Sequence, residues 1–145
     1  MNMTTRQAAG ISLWWAEGTK ALRDKRWKAA MSYPVEVTNT DPQIITIFLE
    51  FLRKDIGVDE GKLRAQIQIH EGDSQPELET FWSEITDIPL EQFNKTIIRP
   101  IGNKPGKSRG TCKVRFGNKT IYLKLERMWQ DIVADILARE TKPSC

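Results

Sequence analysis

Residues 63–70 constrain the fold most, because apolar and polar side chains alternate there without a break. Ala65, Ile67 and Ile69 fall on one face of an extended chain, and the polar side chains fall on the other. Such a strand needs a layer that covers its apolar face, while its polar face can stay in water. The stretch therefore predicts a sheet that is covered on one side.

The rest of the chain supplies the helices and strands for that layout. Apolar periodicity or alternation predicts, in order, a helix at residues 10–18, a short strand or hairpin around Trp27, a strand at 33–39, a helix at 42–55, the strand at 63–70, a helix at 74–85, strands at 95–101 and 111–116, and a helix at 120–138. The last helix is expected to cover the dry face of the sheet. This order predicts an α+β fold with helices on one side of a mainly antiparallel sheet. At 145 residues the chain is expected to form a single domain, residues 1–145.

The first helix carries an acid at an unfavourable place. Glu17 precedes Gly18, a residue type that ends helices because a left-handed conformation costs it little. The exposed carbonyls of a last helical turn already carry partial negative charge, so a carboxylate there is disfavoured. Glu17 therefore predicts a nearby cation, either a basic side chain such as Lys20 or a bound metal ion.

Small side chains form a stripe on the same helix. Ala8 or Ala9, Ser12 and Ala16 recur at intervals of three or four residues, which places them on one side of the helix. Such a stripe allows a second helix to approach closely.

Basic residues are concentrated in two segments, although the formal net charge is only +3. Residues 20–28 contain five basic residues and one acid, and residues 92–125 contain nine basic residues and no acid. A run of charge is often only a solvated face. An acid-free span of this length among strand-like residues favours a polyanion as the partner.

The polar side of the strand at 63–70 consists of Arg64, Gln66, Gln68 and His70. One interpretation is an ordinary sheet with a solvated face. The other is a ribbon that reads the major groove of DNA, where arginine pairs with guanine and glutamine with adenine. His70 is the only histidine, so a metal site or catalytic triad built on several histidines of one chain is excluded.

Cysteine content and hydropathy bear on location. Cys112 and Cys145 make no convincing disulfide framework and fit a reducing compartment. No stretch of the sequence is apolar for long enough to span a bilayer. The expected location is the cytoplasm, with no membrane partner.

Residues 10–18 resemble the LAGLIDADG motif of homing endonucleases. Ser12 and Ala16 match the small packing positions, and Glu17 matches the metal-binding acid before the last glycine. The segment Asn39-Thr-Asp-Pro42 follows at the next helix start, as in a bacterial branch of the family with a WxEG-type motif. The resemblance implies the family's saddle of β-strands backed by helices. Family members with one motif are homodimers, so it also implies a dimer in which the Ser12 and Ala16 stripes of two protomers pack together.

The resemblance implies a Mg²⁺-dependent, site-specific endonuclease that cuts double-stranded DNA. Glu17 of both protomers would hold Mg²⁺, and Asn39 matches the position that orients the attacking water. Lys113 is the candidate for the family's catalytic lysine, with Lys20 as the alternative. The expected DNA contacts are Arg64, Gln66, Gln68, His70, Lys95, Arg99, Lys113 and Arg115.

Other functions are compatible with the same sequence. A DNA-binding regulator or an RNA-binding intron maturase would have the same fold but no nuclease activity, and relatives of both kinds occur in the family. A protein-interaction module with an incidental basic face is a third possibility. Salt-sensitive binding to duplex without a need for Mg²⁺ and without cleavage would indicate a binder.

Overall fold

The computed structural model of the chain describes residues 2–18, 22–23, 31–101 and 109–141. Helices and strands occur in the order that the sequence predicts, so the α+β class is confirmed. Most of the basic segment at 20–28 and of the loop at 102–110 lies outside the described residues. The elements are α1 (Thr5–Glu17), β1 (Leu22–Arg23), β2 (Met31–Ser32), β3 (Pro34–Asn39), α2 (Pro42–Phe51), β4 (Arg64–His70), α3 (Gln75–Thr86), β5 (Ile97–Arg99), β6 (Thr111–Gly117) and α4 (Lys119–Thr141).

Four strands form one mixed sheet in the order β3-β6-β4-β5. β6 pairs antiparallel with both β3 and β4, whereas the edge strand β5 runs parallel to β4. The parallel edge follows from the position of α3 between β4 and β5, since two parallel strands need a long crossover. β1 and β2 pair antiparallel with each other, in the region where a short strand or hairpin is predicted; Trp27, around which it is predicted, lies outside the described residues.

The ends of α1 are fixed by local hydrogen bonds and by close packing. Thr4 and Gln7 form a reciprocal capping box at the start of the helix. At the other end, Gly18 is extended, with φ −86° and ψ 159°, so the predicted left-handed conformation is wrong. A Cβ at Gly18 would lie 2.3 Å from the carbonyl oxygen of Trp14 and 2.9 Å from that of Glu36. Glycine is required there because the end of the helix lies directly against β3, where Gly18 forms a β-bridge with Val37.

The core lies between the dry face of the sheet and the helices. α1 contributes Ile11 and Trp14, which are fully buried. Each such side chain stabilises the fold by roughly 1.5–3 kcal/mol relative to an exposed one. The sheet contributes Val35, Val37, Ala65, Ile67, Ile69, Cys112, Val114 and Phe116, and α2 contributes Ile45, Phe48, Leu49 and Phe51.

α4 covers less of the sheet than its periodicity predicts. Its main contacts are with α1 and β3, and among its side chains up to residue 138, which the structure describes, only Tyr122 and Leu125 are fully buried. Trp129 stacks on Trp15 of α1 with ring centroids 5.6 Å apart. Further along, half of the surface of Ile136 is exposed. The prediction that α4 covers the dry face holds on the β3 side of the sheet, where α4 has its main contacts, whereas the helix that contacts β4 is α3.

Within the described ranges, no helix combines the length and the apolar character that crossing a bilayer requires.

Candidate nucleic-acid interface

Glu17 and Asn39 lie side by side where α1 meets the end of β3. Gly18 forms a β-bridge with Val37, which brings the last turn of α1 against this strand. The Asn39 side-chain amide Nδ2 donates a hydrogen bond to Glu17 Oε2 at 3.4 Å. Its Oδ1 accepts from the backbone N–H of Asp41 at 2.8 Å, and this second bond fixes the amide with its nitrogen toward Glu17. Two of the three predicted catalytic residues are thus in contact.

Lys113 lies at the same end of the sheet but faces another way. Asn39 pairs in register with Cys112, and Lys113 pairs with Thr38. Because side chains alternate along a strand, Lys113 shares a face with Thr38, while Asn39 belongs to the opposite face. The alternative lysine, Lys20, falls outside the described residues.

The solvated side of the sheet, here called the polar face, collects most of the predicted DNA contacts. The register places its residues in rows that cross the strands. One row joins Thr38, Lys113 and Gln66, and the next joins Thr111, Gln68 and Ile97. Its members are Glu36, Thr38, Arg64, Gln66, Gln68, His70, Ile97, Arg99, Thr111, Lys113 and Arg115.

Two of the predicted contacts are held by backbone carbonyls. The Gln66 side-chain nitrogen donates to the carbonyl oxygen of Lys95 at 2.9 Å. The Arg64 guanidinium donates to the carbonyl oxygens of Gly61 and Leu63 at 2.7 and 2.8 Å. These bonds fix both side chains against the sheet. Lys95 itself is exposed and precedes β5.

The polar face also carries an acid that the sequence analysis missed. Glu36 Oε2 lies 3.8 Å from Arg115 Nε, and Arg115 stands directly opposite Arg64 on β4. Alternation with Val35 and Val37 indicates that Glu36 faces the polar side. That it lies beside Arg115 depends on the pairing of β3 with β6, which alternation does not reveal.

A shallow hollow of about 150 Å³, here called the central hollow, lies in the middle of the polar face. Ile97 brings an apolar side chain to it, and 36% of Ile97 is exposed. The sequence analysis assigned no role to this residue. The hollow is lined by Thr38, Gln66, Ile67, Gln68, Ile97, Thr111 and Lys113.

The predicted dimer stripe is accessible on α1. Ser12 and Ala16 are exposed, whereas Gly10 on the other side of the helix is buried. A Cβ at Gly10 would come within 2.2 Å of the Phe51 ring, so α2 packs against that side at the closest possible approach. One side of α1 is thus committed to the core, and the side with Ser12 and Ala16 remains open.

One chain does not assemble a full metal site from its described residues. No group of three or more histidine, cysteine, aspartate or glutamate side chains occurs among them. Glu17 provides a carboxylate, whose oxygens Mg²⁺ prefers as ligands, whereas Asn39 presents its Nδ2, which is a hydrogen-bond donor and not a metal ligand, toward it. A second carboxylate would have to come from another molecule.

Comparison with protein-family models, with curated proteins and with solved structures finds no match to this chain. The assignment of a function therefore rests on Glu17, Asn39 and the polar face.

Proposed function

We propose that the protein is a Mg²⁺-dependent, site-specific double-strand DNA endonuclease of the homing type that acts as a homodimer. The observation that carries this proposal is the contact of Glu17 with Asn39 at the end of a helix whose Ser12 and Ala16 side is open. The resemblance of residues 10–18 to the LAGLIDADG motif assigns these positions to metal binding, water positioning and dimer contact. The polar face would then form half of the DNA-binding saddle.

The chemistry needs two copies of Glu17. In a symmetric dimer joined through the stripe, the two carboxylates approach each other, which is unfavourable for like charges unless a cation lies between them. Bound Mg²⁺ supplies Lewis-acid chemistry, with a water of lowered pKa and a polarised phosphate. Asn39 would hold the Glu17 carboxylate in place through the hydrogen bond from its Nδ2.

The polar face provides affinity and sequence readout. Arg99, Lys113 and Arg115 can neutralise phosphates, which contributes binding at any sequence. Gln66 and Gln68 can pair with base edges in the major groove. Because Gln66 is already held by the carbonyl of Lys95, it loses little conformational freedom on binding.

The test is incubation with plasmid that carries the flanks of the gene's own insertion site without an intron. We expect Mg²⁺-dependent cleavage by the wild type and its loss in Glu17→Gln, which keeps the size of the side chain and removes its charge. Glu91→Gln, at an exposed acid in the turn before β5, is the matched control and should cleave normally. Full activity of Glu17→Gln would refute the proposal.

The second candidate is a DNA-binding regulator or an RNA-binding intron maturase that lacks nuclease activity. The placement of Lys113 favours it, since this lysine faces the polar side and pairs with Thr38 and Gln66 rather than joining Glu17. A binder would show salt-sensitive affinity in EDTA and no cleavage of any sequence. Competition between duplex DNA and RNA would separate a regulator from a maturase. For either function the cytoplasm is the expected location, where the Cys112 thiol stays reduced.

A further inference from the structure

Ile97 is an apolar residue in a polar setting. Residue 97 lies beside Gln68 in the parallel register of β4 and β5, so the two side chains share the polar face. The other residues that line the central hollow include Thr38, Thr111 and Lys113. An apolar side chain that is partly exposed there gains nothing from the core, which lies on the other side of the sheet.

The central hollow fits a small apolar group that arrives together with hydrogen-bonding groups. Ile97 supplies the apolar wall, and Gln68 supplies an amide directly beside it. In the major groove, thymine presents a C5-methyl group and its partner adenine presents N6 and N7, which a glutamine amide can pair with. A T·A pair therefore matches both neighbours in one row of the sheet.

We propose that Ile97 is a specificity-determining residue that receives the methyl group of a thymine in the DNA target, with Gln68 reading the paired adenine. The inference rests on the proposed function, since it needs duplex DNA on the polar face. It goes further by assigning one residue to one chemical group. It also gives a reason for choosing DNA over RNA at this position, since uracil lacks the methyl group.

The experiment starts with selection of bound duplexes from a library with a randomised central segment. Each thymine of the selected site is then replaced, one at a time, by deoxyuridine, which removes only the methyl group. At one thymine per half-site we expect wild-type affinity to fall about fourfold, the value of one buried methyl-sized group. Ile97→Ala should bind the thymine site more weakly and should not distinguish thymine from deoxyuridine there.

Ile98→Ala is the matched control. Ile98 is the next residue of β5, is 51% exposed, and pairs with Ile69 of the dry face. It should keep the wild-type preference for thymine, so an effect of Ile97→Ala cannot come from weakening β5.

Three results would overturn the inference. If the wild type binds selected duplexes but its affinity does not change when any thymine methyl is removed, only the inference about Ile97 is overturned. The same is true if Ile97→Ala keeps the wild-type response to deoxyuridine. Failure to select any duplex overturns the proposed endonuclease function as well.

Discussion

At the scale of single residues, Gly110 shows how closely the chain just before β6 is fitted to the sheet. Gly110 has φ +82°, and a Cβ there would lie 2.7 Å from the carbonyl oxygen of Gln68 and 2.9 Å from Ile69 Cγ2. Gly57 has a similar φ of +76° with nothing within 4 Å. Alanine at Gly57 therefore introduces backbone strain alone, whereas alanine at Gly110 introduces backbone strain and a steric clash.

We expect Gly57→Ala to lower the free energy of unfolding by about 1 kcal/mol, the cost of a left-handed conformation for a residue with a Cβ. Gly110→Ala should cost about 2–4 kcal/mol, because β4 must also shift to relieve the contact. Urea denaturation measures both values. Equal losses in the two variants would show that the contact of Gly110 with β4 is absent in solution.

Cys112 gives a prediction about pH. Burial raises the pKa of its thiol from 9.0 to about 12. Because the folded pKa lies above the unfolded pKa, the thiol's contribution to stability is fully present below pH 9 and is lost as the pH rises toward 12. Relative to Cys112→Ala, the wild type should lose up to about 1.4 kcal/mol of unfolding free energy per pH unit above pH 9. If the difference in unfolding free energy between the wild type and Cys112→Ala stays constant from about pH 8 to about pH 10.5, this prediction is contradicted.

Single residues also show the limit of sequence analysis at the site. Glu17 stood out because an acid ends an apolar helix, and the resemblance assigned Asn39 to the same site, but their hydrogen bond was not predicted. The pairing of Glu36 with Arg115 and the bond from Gln66 to Lys95 did not stand out. Both depend on strand register and on the path of the segment before β5, which local patterns do not specify.

At the scale of elements, the type and order of segments could be predicted because periodicity reports burial on one side. The partners of each element could not. β5 is shorter than the predicted strand and joins the sheet in parallel, and α4 has its main contacts with α1 and β3. An amphipathic pattern shows that a face is covered but not by which element, so neighbours compete for the same apolar surface.

α1 carries the element-scale prediction. If Ser12 and Ala16 form the dimer contact, Ala16→Arg should convert the protein to a monomer of 16.7 kDa, because two bulky cations would meet where the helices approach. The monomer should remain folded, since Ala16 is exposed. Thr80→Arg, at an exposed position of α3, is the control and should leave the mass at twice that of the chain. Sedimentation equilibrium distinguishes the outcomes, and an unchanged mass for Ala16→Arg would place the contact elsewhere.

At the scale of the whole molecule, one side of α1 closes the core while its other side stays open, and its end presents Glu17 beside the sheet. The polar face gathers Arg64, Arg99, Lys113 and Arg115, with Glu36 as the acid beside them. The proposed function assigns DNA binding to this sheet and metal binding to this helix end, and it requires that two molecules combine.

The most direct test of that condition is whether Mg²⁺ and Glu17 act together on dimer formation. Sedimentation equilibrium of wild type and Glu17→Gln would be compared in EDTA and in Mg²⁺ at matched ionic strength, since salt alone screens charge. We predict that Mg²⁺ tightens the wild-type dimer about five- to tenfold, the repulsion of two nearby carboxylates in water, and that it leaves Glu17→Gln unchanged. A monomer under all conditions, or an equal effect of Mg²⁺ on both proteins, would contradict the proposal that two copies of Glu17 share a cation.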